Sequence, residues 1–290
     1  MDTKKLPLSA IVLTLNEQHN ISACLSTLCT WVDEVFVVDS GSTDRTLEIA
    51  QEYTCNIVHH EFENYSRQRN WSQNNLPIKH DWVFHVDADE RVTPELIDAL
   101  TEFFTFERHV HPDVTALLVR RRIRFLGRDI VHGGIYPTYH CRVFQRKFGQ
   151  CEDRDYDQHF IVSTGDMKQI EADLVEVTAT SLFSWTSRHN RWAKMEALYL
   201  QSVPQENNRL LIGANLSGSP IERRRWLRSS AYERMPLFSR AVIYFFLRYI
   251  VRGGFLDGIP GLIYHVLHGF WFRFYIDACL YEAKIDKLES

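Results

Sequence analysis

Trp82-Val-Phe-His-Val-Asp-Ala-Asp-Glu90 is the stretch that decides the fold of this 290-residue chain. Its first five residues are mostly apolar and predict a buried strand, which ends where the acidic residues begin. Thr93 and Pro94 follow, and they suit the N-cap and first turn of a helix. A strand that ends in carboxylates and leads into a helix is typical of the ligand-binding edge of an α/β sheet.

The chain before this stretch repeats the same order of strand, polar loop and helix. Residues 8–15, 34–38 and 56–59 are short apolar runs with many β-branched side chains, and they predict three further strands. Helices are predicted over residues 21–31, 45–53 and 64–75, with Asp44 as the N-cap of the second. Strands that alternate with helices indicate parallel βαβ units in one central sheet.

The pattern changes after residue 106. Short strands are predicted over residues 114–123, 141–145, 160–162 and 174–177, which indicates a mixed sheet rather than a purely parallel one. A helix is predicted over residues 182–203, and two aromatic, amphipathic helices over residues 221–252 and 260–285. The predicted organisation is an α/β domain over residues 1–204, a linker or flexible lobe over 205–220, and a helical region over 221–290.

Composition excludes several classes of protein. With 45% hydrophobic residues the chain can bury a sizeable core, and a net charge of -4 gives no support for nucleic-acid binding. The six cysteines form no Cys-x-x-Cys pair, which favours reduced thiols and a cytoplasmic protein. The first residues lack the features of a signal peptide, which favours the same location.

Residues 221–290 differ in charge from the rest of the chain. They contain eleven Lys and Arg against seven Asp and Glu, together with many aromatic residues. This balance predicts contact with an anionic membrane surface, here the inner face of the cytoplasmic membrane. A solvated basic face is the alternative. Residues 258–272 carry no Lys, Arg, Asp or Glu, but 15 residues are too few for a spanning helix.

Polar residues follow the predicted parallel strands where each one ends. Asn16 and Glu17 follow the first strand, Asp39-Ser-Gly41 the second, and Asp87-Ala-Asp-Glu90 the fourth. Parallel strands place their carboxyl ends at one edge of a sheet, so these residues are expected to form one polar ligand site. In that site Asp39 would accept from ribose hydroxyls or a base, and Gly41 would let the backbone approach. An ordinary βα loop is the alternative.

Asp87 and Asp89 are the sharpest chemical feature. Two carboxylates at a strand end can hold a hard divalent cation, and Mg²⁺ or Mn²⁺ there would neutralise the charge of a diphosphate. The alternative is a strand-end cap beside one solvated carboxylate. Arg67 and Arg69 lie on a polar helical stretch, where they suit either a diphosphate or solvent.

Two further segments carry possible acid–base groups. Residues 152–159 contain Asp153, Asp157 and His159, any of which could accept a proton from an acceptor hydroxyl. A solvated acidic loop is the alternative for this segment. His132-Gly-Gly-Ile-Tyr-Pro137 is predicted to be a shaped loop near a site, or else a structural one.

Taken together, these stretches resemble the family-2 inverting glycosyltransferases of the GT-A fold. The resemblance includes the subgroup of lipopolysaccharide inner-core β-1,4-glucosyltransferases and related exopolysaccharide transferases. It covers nearly the whole chain, and the matching stretches follow the family's order. They are Thr14-Leu-Asn-Glu17, Val37-Val-Asp-Ser-Gly-Ser-Thr-Asp44, Arg67-Gln-Arg-Asn70, the stretch from Trp82 to Glu95, His132-Gly-Gly-Ile-Tyr-Pro137, Arg188-His-Asn-Arg-Trp192 and Arg252-Gly-Gly-Phe-Leu-Asp-Gly258.

The resemblance implies a function and a set of site residues. A hexose would pass with inversion from a nucleoside-diphosphate sugar, expected to be a UDP-sugar, to a saccharide or lipid-linked saccharide in polysaccharide or lipopolysaccharide synthesis. The implied nucleotide-sugar residues are Thr14, Leu15, Asn16, Glu17, Asp39, Gly41, Arg67, Arg69, Asp87 and Ala88. The metal ligand would be Asp89, and the acceptor side would include Glu90, His132 and Tyr136. The oligomeric state stays open, with a homodimer as one option.

The chain departs from the family at two positions. Gln158 falls where relatives carry a glutamate, so Asp157 is the first candidate for the base, followed by His159 and Asp153. Glu176 falls where relatives carry a histidine. Gln158 allows one alternative function, a transferase that still binds nucleotide-sugar but has lost turnover. The Asp-x-Asp motif allows another, a phosphohydrolase that uses Asp87 as its nucleophile and Asp89 as its acid–base group.

Overall fold

The computed structural model describes residues 5–53, 55–153, 158–178, 181–201, 213, 215–217 and 220–289. They form two compact units. The first comprises the described residues of Met1–Ile123, Pro137–Asp153 and Gln158–Thr178. The second comprises those of Arg124–Tyr136 and Ala179–Ser290. All six cysteines are free thiols.

The first unit is built on a mixed sheet. In chain order the strands are β1 (Leu6–Thr14), β2 (Val32–Asp39), β3 (Asn56–His59), β4 (Trp82–Asp87), β5 (Glu90–Val92), β6 (Val114–Phe125), β7 (Arg128–Ile130), β8 (Thr138–Gln145), β9 (Gly149–Cys151), β10 (Phe160–Val162) and β11 (Asp166–Val177). Their order in the main sheet is β3-β2-β1-β4-β8-β6-β11-β5. The short strand β7, which pairs with β6, belongs to the second unit. The first four strands are parallel, whereas β8 is antiparallel to β4 and β6. The prediction of a mixed α/β sheet is therefore confirmed.

Two strands differ from the sequence-based expectation. Phe160–Val162 does not join the main sheet but pairs antiparallel with Gly149–Cys151 in a separate hairpin. Glu90–Val92, which the sequence did not predict as a strand, pairs with residues 174–176 at the end of β11. The pairing of β5 with β11 brings the acidic end of β4 close to the end of β11.

Strands β1, β2 and β4 are buried on both faces of the sheet, whereas the edge strand β3 is partly exposed. Ala10 and Val12 belong to one apolar cluster, whereas Ile11 between them belongs to another, because successive side chains of a strand point to opposite faces. Burial on both faces explains why these strands read as continuous apolar runs rather than as alternating ones.

Helices of the first unit connect the strands. They are α1 (Ile21–Ser26), α2 (Thr46–Ala50), α3 (Tyr65–Asn75), α4 (Pro94–Glu102) and α5 (Arg108–Val110), the last two joined by a π-helical turn. Thr93 acts as an N-cap through its side chain, as predicted, and the side chain of Asn64 caps α3 in the same way. The expected N-cap role of Asp44 is wrong, because the N-cap position of α2 is Arg45. Asp44 instead accepts a hydrogen bond from the amide of Thr46 at 3.0 Å.

The second unit is helical. Its helices are α6 (Leu182–Gln201), α7 (Pro220–Leu227), α8 (Ser239–Phe246), α9 (Gly258–Tyr264) and α10 (Phe272–Glu289), and π-helical turns follow α7, α8 and α9. The predicted helix over residues 221–252 is in fact interrupted between Tyr232 and Ser239. In contrast, the segment from Gly258 to Glu289 is helical throughout.

Helix α6 lies in the second unit, although the sequence placed its residues in the α/β domain. Ala193 and Ala197 on α6 pack against Phe272 and Ile276 on α10, and this apolar contact joins the two helices. Most of the predicted linker, residues 205–220, lies outside the described residues. No helix in the described part of the chain is long and apolar enough to cross a membrane.

Candidate functional site

The carboxyl ends of the parallel strands meet at one edge of the first unit's sheet. The register pairs Thr14 with Asp39 and Leu13 with Asp87, and it pairs Asp39 with His59 on the other side. The polar strand ends therefore lie side by side, as expected from the topology.

The loop after β1 is tied to the loop after β2. Asn16 has a φ of 56°, and its side-chain oxygen accepts from the amide of Thr43 at 2.8 Å. The amide of Glu17 donates to the hydroxyl of Thr46 at 2.8 Å. Leu15 is about half exposed at this edge. The two loops thus form one ordered rim, with an apolar side chain available to a ligand.

Asp39 is almost fully buried and organises the second loop. Its carboxylate accepts from the amide of Gly41 at 2.9 Å, and from the amide of Ser42 at 3.0 Å and its hydroxyl at 2.5 Å. Gly41 has a φ of 97°, a backbone conformation that residues with a side chain rarely adopt. Asp39 therefore fixes the shape of this loop, and the loop's edge is the part that a nucleoside could approach.

Arg69, Asp87, Glu90 and Arg142 form a compact group that we term the arginine–carboxylate cluster. The Nη2 atom of Arg69 donates to both carboxylate oxygens of Asp87, at 2.8 and 3.0 Å. Arg142 donates to Asp87 at 3.2 Å and to Glu90 at 2.5 Å. Glu90 also accepts from the backbone amide of Asp87 at 2.8 Å. The cluster locks the loop that connects β4 to β5.

Burial sets the electrostatics of this cluster. Burial opposes ionisation of Asp87, but the guanidiniums of Arg69 and Arg142 outweigh it and hold the pKa of Asp87 well below its usual range. Burial raises the pKa of Glu90 to about 7, although Arg142 acts in the opposite direction. Burial, reinforced by both arginines, lowers the pKa of His85 well below its usual value, so this buried histidine is neutral.

A second set of hydrogen bonds links the end of β1 to the acidic loop. Glu17 accepts from the side-chain amide of Asn20 at 2.7 Å, and Asn20 accepts from Arg91 at 2.9 Å. Arg91 in turn donates to the carbonyl of Ala88 at 3.0 Å. Glu17 thereby helps to position the backbone between Asp87 and Asp89.

Asp89 is partly exposed and is not a member of the arginine–carboxylate cluster. Its carbonyl accepts from the amide of Val177 at 2.8 Å, and Glu176 pairs with Glu90 across β5 and β11. The side chain of Glu176 is ion-paired with Arg121. The end of β11 therefore lies beside the Asp-x-Asp loop, and Arg121 offsets the negative charge of Glu176.

The donor set fits a cation that is held together with a ligand. No group of three His, Cys, Asp or Glu side chains among the described residues forms a metal cage. Both oxygens of Asp87 accept from guanidiniums, and Asp89, the other carboxylate of the motif, is partly exposed. Mg²⁺ commonly binds one or two carboxylates together with substrate phosphates and water, so such a site is compatible with Mg²⁺ or Mn²⁺.

Arg67 and Arg69 lie on opposite sides of helix α3. Arg69 is buried against Asp87, whereas Arg67 is exposed and forms an ion pair with Glu63 one turn earlier. Arg69 therefore contacts the Asp-x-Asp loop. Gln68 between them donates to the hydroxyl of Ser40 at 3.1 Å, which fixes α3 against the second loop.

The predicted base lies on the segment that connects β9 to β10. Asp157 is outside the described residues, and Asp153 is exposed. His159 is half-buried, and its Nδ1 lies 3.2 Å from a carboxylate oxygen of the buried Glu152. The same oxygen accepts from the amide of His159 at 2.7 Å. Glu152 therefore joins the two ends of this segment and orients the His159 ring.

His132 and Tyr136 lie in the second unit. The Nδ1 atom of His132 lies 2.6 Å from the buried carboxylate of Asp257, which also accepts from the amides of Val131 and His132. The amide of Gly133 donates to the carbonyl of Arg252 at 3.0 Å. Tyr136 is half-buried. The His-Gly-Gly and Arg-Gly-Gly-Phe-Leu-Asp-Gly stretches thus form one folded element.

Several residues of these arrangements were not predicted. Arg142 was missed, although an arginine next to Cys141 and before two apolar residues on a buried strand signals a buried charge. The ion pair of Arg121 with Glu176 and the positioning role of Asp257 depend on pairings between distant segments. The local sequence carries no signal for them.

The chain is similar to several known proteins. Residues 9–159 match the sequence profile of Glycosyl transferase family 2. An uncharacterized glycosyltransferase of Rickettsia bellii is 32% identical over 148 residues, which are 50% of this chain and 48% of that protein. The lipopolysaccharide core biosynthesis glycosyltransferase LpsC of Rhizobium meliloti is 26% identical over 170 residues, 56% of this chain and 60% of LpsC. The matched part spans about half the length of these curated relatives.

Among solved structures, similarity is found to glucosyl-3-phosphoglycerate synthase from Mycobacterium tuberculosis in complex with Mn²⁺, UDP and phosphoglyceric acid. The sequence identity is 15% and the TM-score is 0.46. The alignment covers 70% of this chain and 81% of that structure.

Proposed function

The chain belongs to Glycosyl transferase family 2 and has its mixed GT-A sheet, and on this premise we propose that it transfers a hexose from a nucleoside-diphosphate sugar to a saccharide or lipid-linked saccharide. The proposed donor is a UDP-sugar, and the transfer inverts the anomeric centre. LpsC is named for lipopolysaccharide core biosynthesis, which favours an acceptor in cell-surface lipopolysaccharide or polysaccharide.

The row of strand ends supports this proposal most directly. Thr14 lies beside Asp39, and Leu13 beside Asp87, at the edge where α/β sheets bind nucleotides. We infer that Leu15 and the loop held by Asp39 contact the nucleoside. Arg69 is proposed to act near the diphosphate by fixing Asp87.

The two aspartates of the Asp-x-Asp motif are proposed to have different roles. Asp87 is held by two guanidiniums and positions the loop, whereas Asp89 would hold the divalent cation together with the donor's diphosphate. Such a cation supplies charge neutralisation for the departing nucleoside diphosphate. Glu176 lies nearby, and its pairing with Arg121 reduces its repulsion of the diphosphate.

Inversion requires a base that removes the proton of the acceptor hydroxyl as its oxygen attacks the anomeric carbon. Asp157 is proposed for this role, with His159 and Asp153 as the other candidates. The contact of Glu152 with His159 orients the His159 ring, which supports His159 as a candidate. Glu90 is buried with Arg142, so its part on the acceptor side would be to position the loop. His132 and Tyr136 remain the acceptor-side candidates of the second unit.

The proposed setting is the cytoplasm, with peripheral contact between residues 221–290 and the inner face of the cytoplasmic membrane. The assembly state, including a homodimer, remains to be measured. A phosphohydrolase with Asp87 as nucleophile is disfavoured, because both oxygens of Asp87 accept from arginines.

The test is a thermal-shift screen of nucleotide-sugars with and without Mn²⁺, followed by an assay of nucleoside diphosphate release and glycoside formation. A donor present at about 100 times its Kd should stabilise the protein by about 2.7 kcal/mol, and stabilisation by a UDP-sugar should need the cation. Asp89→Asn should remove the metal-dependent shift and most of the turnover. The exposed Asp98→Asn on α4 is the matched control.

Each outcome decides a different part of the proposal. A shift without turnover on any acceptor would favour a transferase that has lost activity. Near-normal turnover of Asp89→Asn with metal present would overturn the role of Asp89. Phosphate release from an aryl phosphate would favour the phosphohydrolase.

A further inference from the structure

Two neighbouring helical segments of the second unit form a helix pair, residues 239–251 and 258–271. The first consists of α8 and its π-helical turn, and the second of α9 and its π-helical turn. Their inner sides meet through aromatic contacts, with ring centroids 6.2 Å apart for Phe245 and Phe270 and 5.8 Å apart for Tyr249 and His265. The pair is therefore a packed element with one inner and one outer side.

The outer side of the helix pair is apolar. Between residues 242 and 266 every exposed residue is a large apolar side chain, apart from Arg252 and Gly258. We term this surface the apolar face, and represent it by Val242, Phe246, Ile250, Phe255, Ile259 and Leu262. Ile259 is 73% exposed and Phe246 is 56% exposed. Monomeric soluble proteins rarely expose so continuous an apolar surface without a binding role.

The apolar face follows helical spacing. Val242, Phe246 and Ile250 recur every four residues and form one stripe along the first segment. Ile259 and Leu262 continue a second stripe on α9, and Phe255 lies at the turn between the segments. The apolar side chains thus cover both helices and their tip.

The charges at the edge of this face are positive. Arg252 is exposed beside the tip, and the exposed Arg128 donates to the carbonyl of Leu256 at 3.4 Å. Asp257 is the one carboxylate between residues 235 and 272, and it is buried against His132. The surface of this segment therefore presents guanidiniums and apolar groups but no exposed carboxylate.

The turn between the two segments, residues 252–257, is the tip of the helix pair, and other residues of the second unit hold it in place. Asp257 accepts from two backbone amides of residues 131–132, and Arg248 donates to the carbonyl of Gly133 at 2.8 Å. A Cβ on Gly254 would lie 2.5 Å from the His265 ring, so the turn packs closely on the second segment. The apolar residues are thus presented on a fixed frame rather than on a loose chain.

We propose that the apolar face inserts into the interfacial layer of an anionic lipid bilayer, with Arg128 and Arg252 at the level of the phosphates. This deepens the membrane contact proposed above, but vesicle binding requires neither donor nor acceptor. An anionic bilayer is the occupant that the charges favour, because the exposed groups of residues 242–266 are apolar or cationic and include no carboxylate. The first segment, at about 1.5 Å per residue, is only about 20 Å long, too short to cross a hydrocarbon core of about 30 Å.

The test is flotation of the full chain with vesicles of phosphatidylcholine alone and of phosphatidylcholine mixed with phosphatidylglycerol. The protein should float with both, and more strongly with the anionic vesicles. Ile250→Glu combined with Ile259→Glu should lower binding at least roughly tenfold, because two charges would enter the apolar layer. Arg128→Gln with Arg252→Gln should remove the preference for phosphatidylglycerol.

Phe106→Glu with Val110→Glu is the control. Both side chains are exposed and apolar, at 68% and 71%, but they lie in the first unit. The control should float like the unaltered protein, and all variants should keep their melting temperature in solution. The proposal is overturned if the unaltered protein binds neither vesicle, or if the Ile250/Ile259 variant floats as well as the control. A dimer that this variant dissociates, without vesicle binding, would instead assign the face to a second copy.

Discussion

Arg69 and Asp87 face each other at the end of β4, and one guanidinium nitrogen of Arg69 lies 2.8 Å from Oδ1 and 3.0 Å from Oδ2 of Asp87. The pair joins helix α3 to the Asp-x-Asp loop and is completed by Arg142 and Glu90. The first aspartate of the motif is thereby neutralised by protein charges, which separates its role from that of Asp89.

Arg69→Gln should destabilise the protein by about 2 kcal/mol, because the partly buried carboxylate of Asp87 keeps only its longer contact with Arg142. Urea unfolding followed by far-UV circular dichroism measures this loss. Arg67→Gln, on the exposed side of the same helix, should stay within about 0.5 kcal/mol of the unaltered protein. Equal effects of the two substitutions would contradict the buried pair.

Glu90 should make stability depend on pH. Its folded pKa of about 7 lies above the usual 4.5, so its contribution is fully present below pH 4.5 and is lost as the pH rises towards 7. Asp87 has a lowered pKa, so its contribution is lost only as the pH falls below its usual range. The free energy of unfolding should therefore decrease from pH 4.5 to 7.

Glu90→Gln should flatten that pH dependence by roughly 1–3 kcal/mol, since glutamine does not titrate. Urea titrations at a series of pH values measure the slope. The exposed Glu95→Gln on α4 is the control and should keep the slope of the unaltered protein. If the free energy of unfolding of Glu90→Gln changed with pH as steeply as that of the unaltered protein, Glu90 would not be the source of the pH dependence.

The segment between β9 and β10 should contain the base. Asp157→Asn should lower kcat by about 10²–10⁴, because a positioned base contributes about that much to proton transfer. His159→Gln should have a smaller effect, and the exposed Asp153→Asn should stay within about tenfold. Rates with the donor found in the screen, measured across pH, check this order.

In the unaltered enzyme the rate should rise with pH as the base loses its proton. The Asp157→Asn variant should lose that limb of the profile while its KM for the donor stays similar. A greater loss in His159→Gln would move the assignment to the histidine that Glu152 orients.

Asp257→Ala should destabilise the second unit by about 2–3 kcal/mol, because two backbone amides and the His132 ring lose a buried acceptor. Thermal unfolding and limited proteolysis near residues 131–134 measure the effect. Asp286→Ala, on the exposed side of α10, is the control and should change little. Resistance of the Asp257→Ala loop to proteolysis would contradict the positioning role.

Much of the first unit followed from local patterns. Continuous apolar runs predicted β1, β2 and β4 because strands buried on both faces have no polar side. Thr93 predicted a helix start because a side-chain oxygen at the N-cap satisfies a free amide. The order of strand and helix then placed the polar strand ends at one edge.

Prediction failed where distant segments decide the structure. Glu90–Val92 is a strand because β11 pairs with it, and Phe160–Val162 leaves the main sheet because β9 offers an edge. Helix α6 joins the second unit through its apolar contact with α10. In each case the local residues allow more than one arrangement, and a partner far along the chain selects one.

The sequence by itself determined the mixed α/β fold, the family and the positions of the polar strand ends, because these depend on periodicity and on short motifs. Only the tertiary structure decided which charges meet. It placed Arg69 and Arg142 on Asp87, Asp257 under His132, and an apolar face on the outside of residues 242–266. Burial and ion pairing depend on which segments pack together, and those contacts join residues up to 126 positions apart.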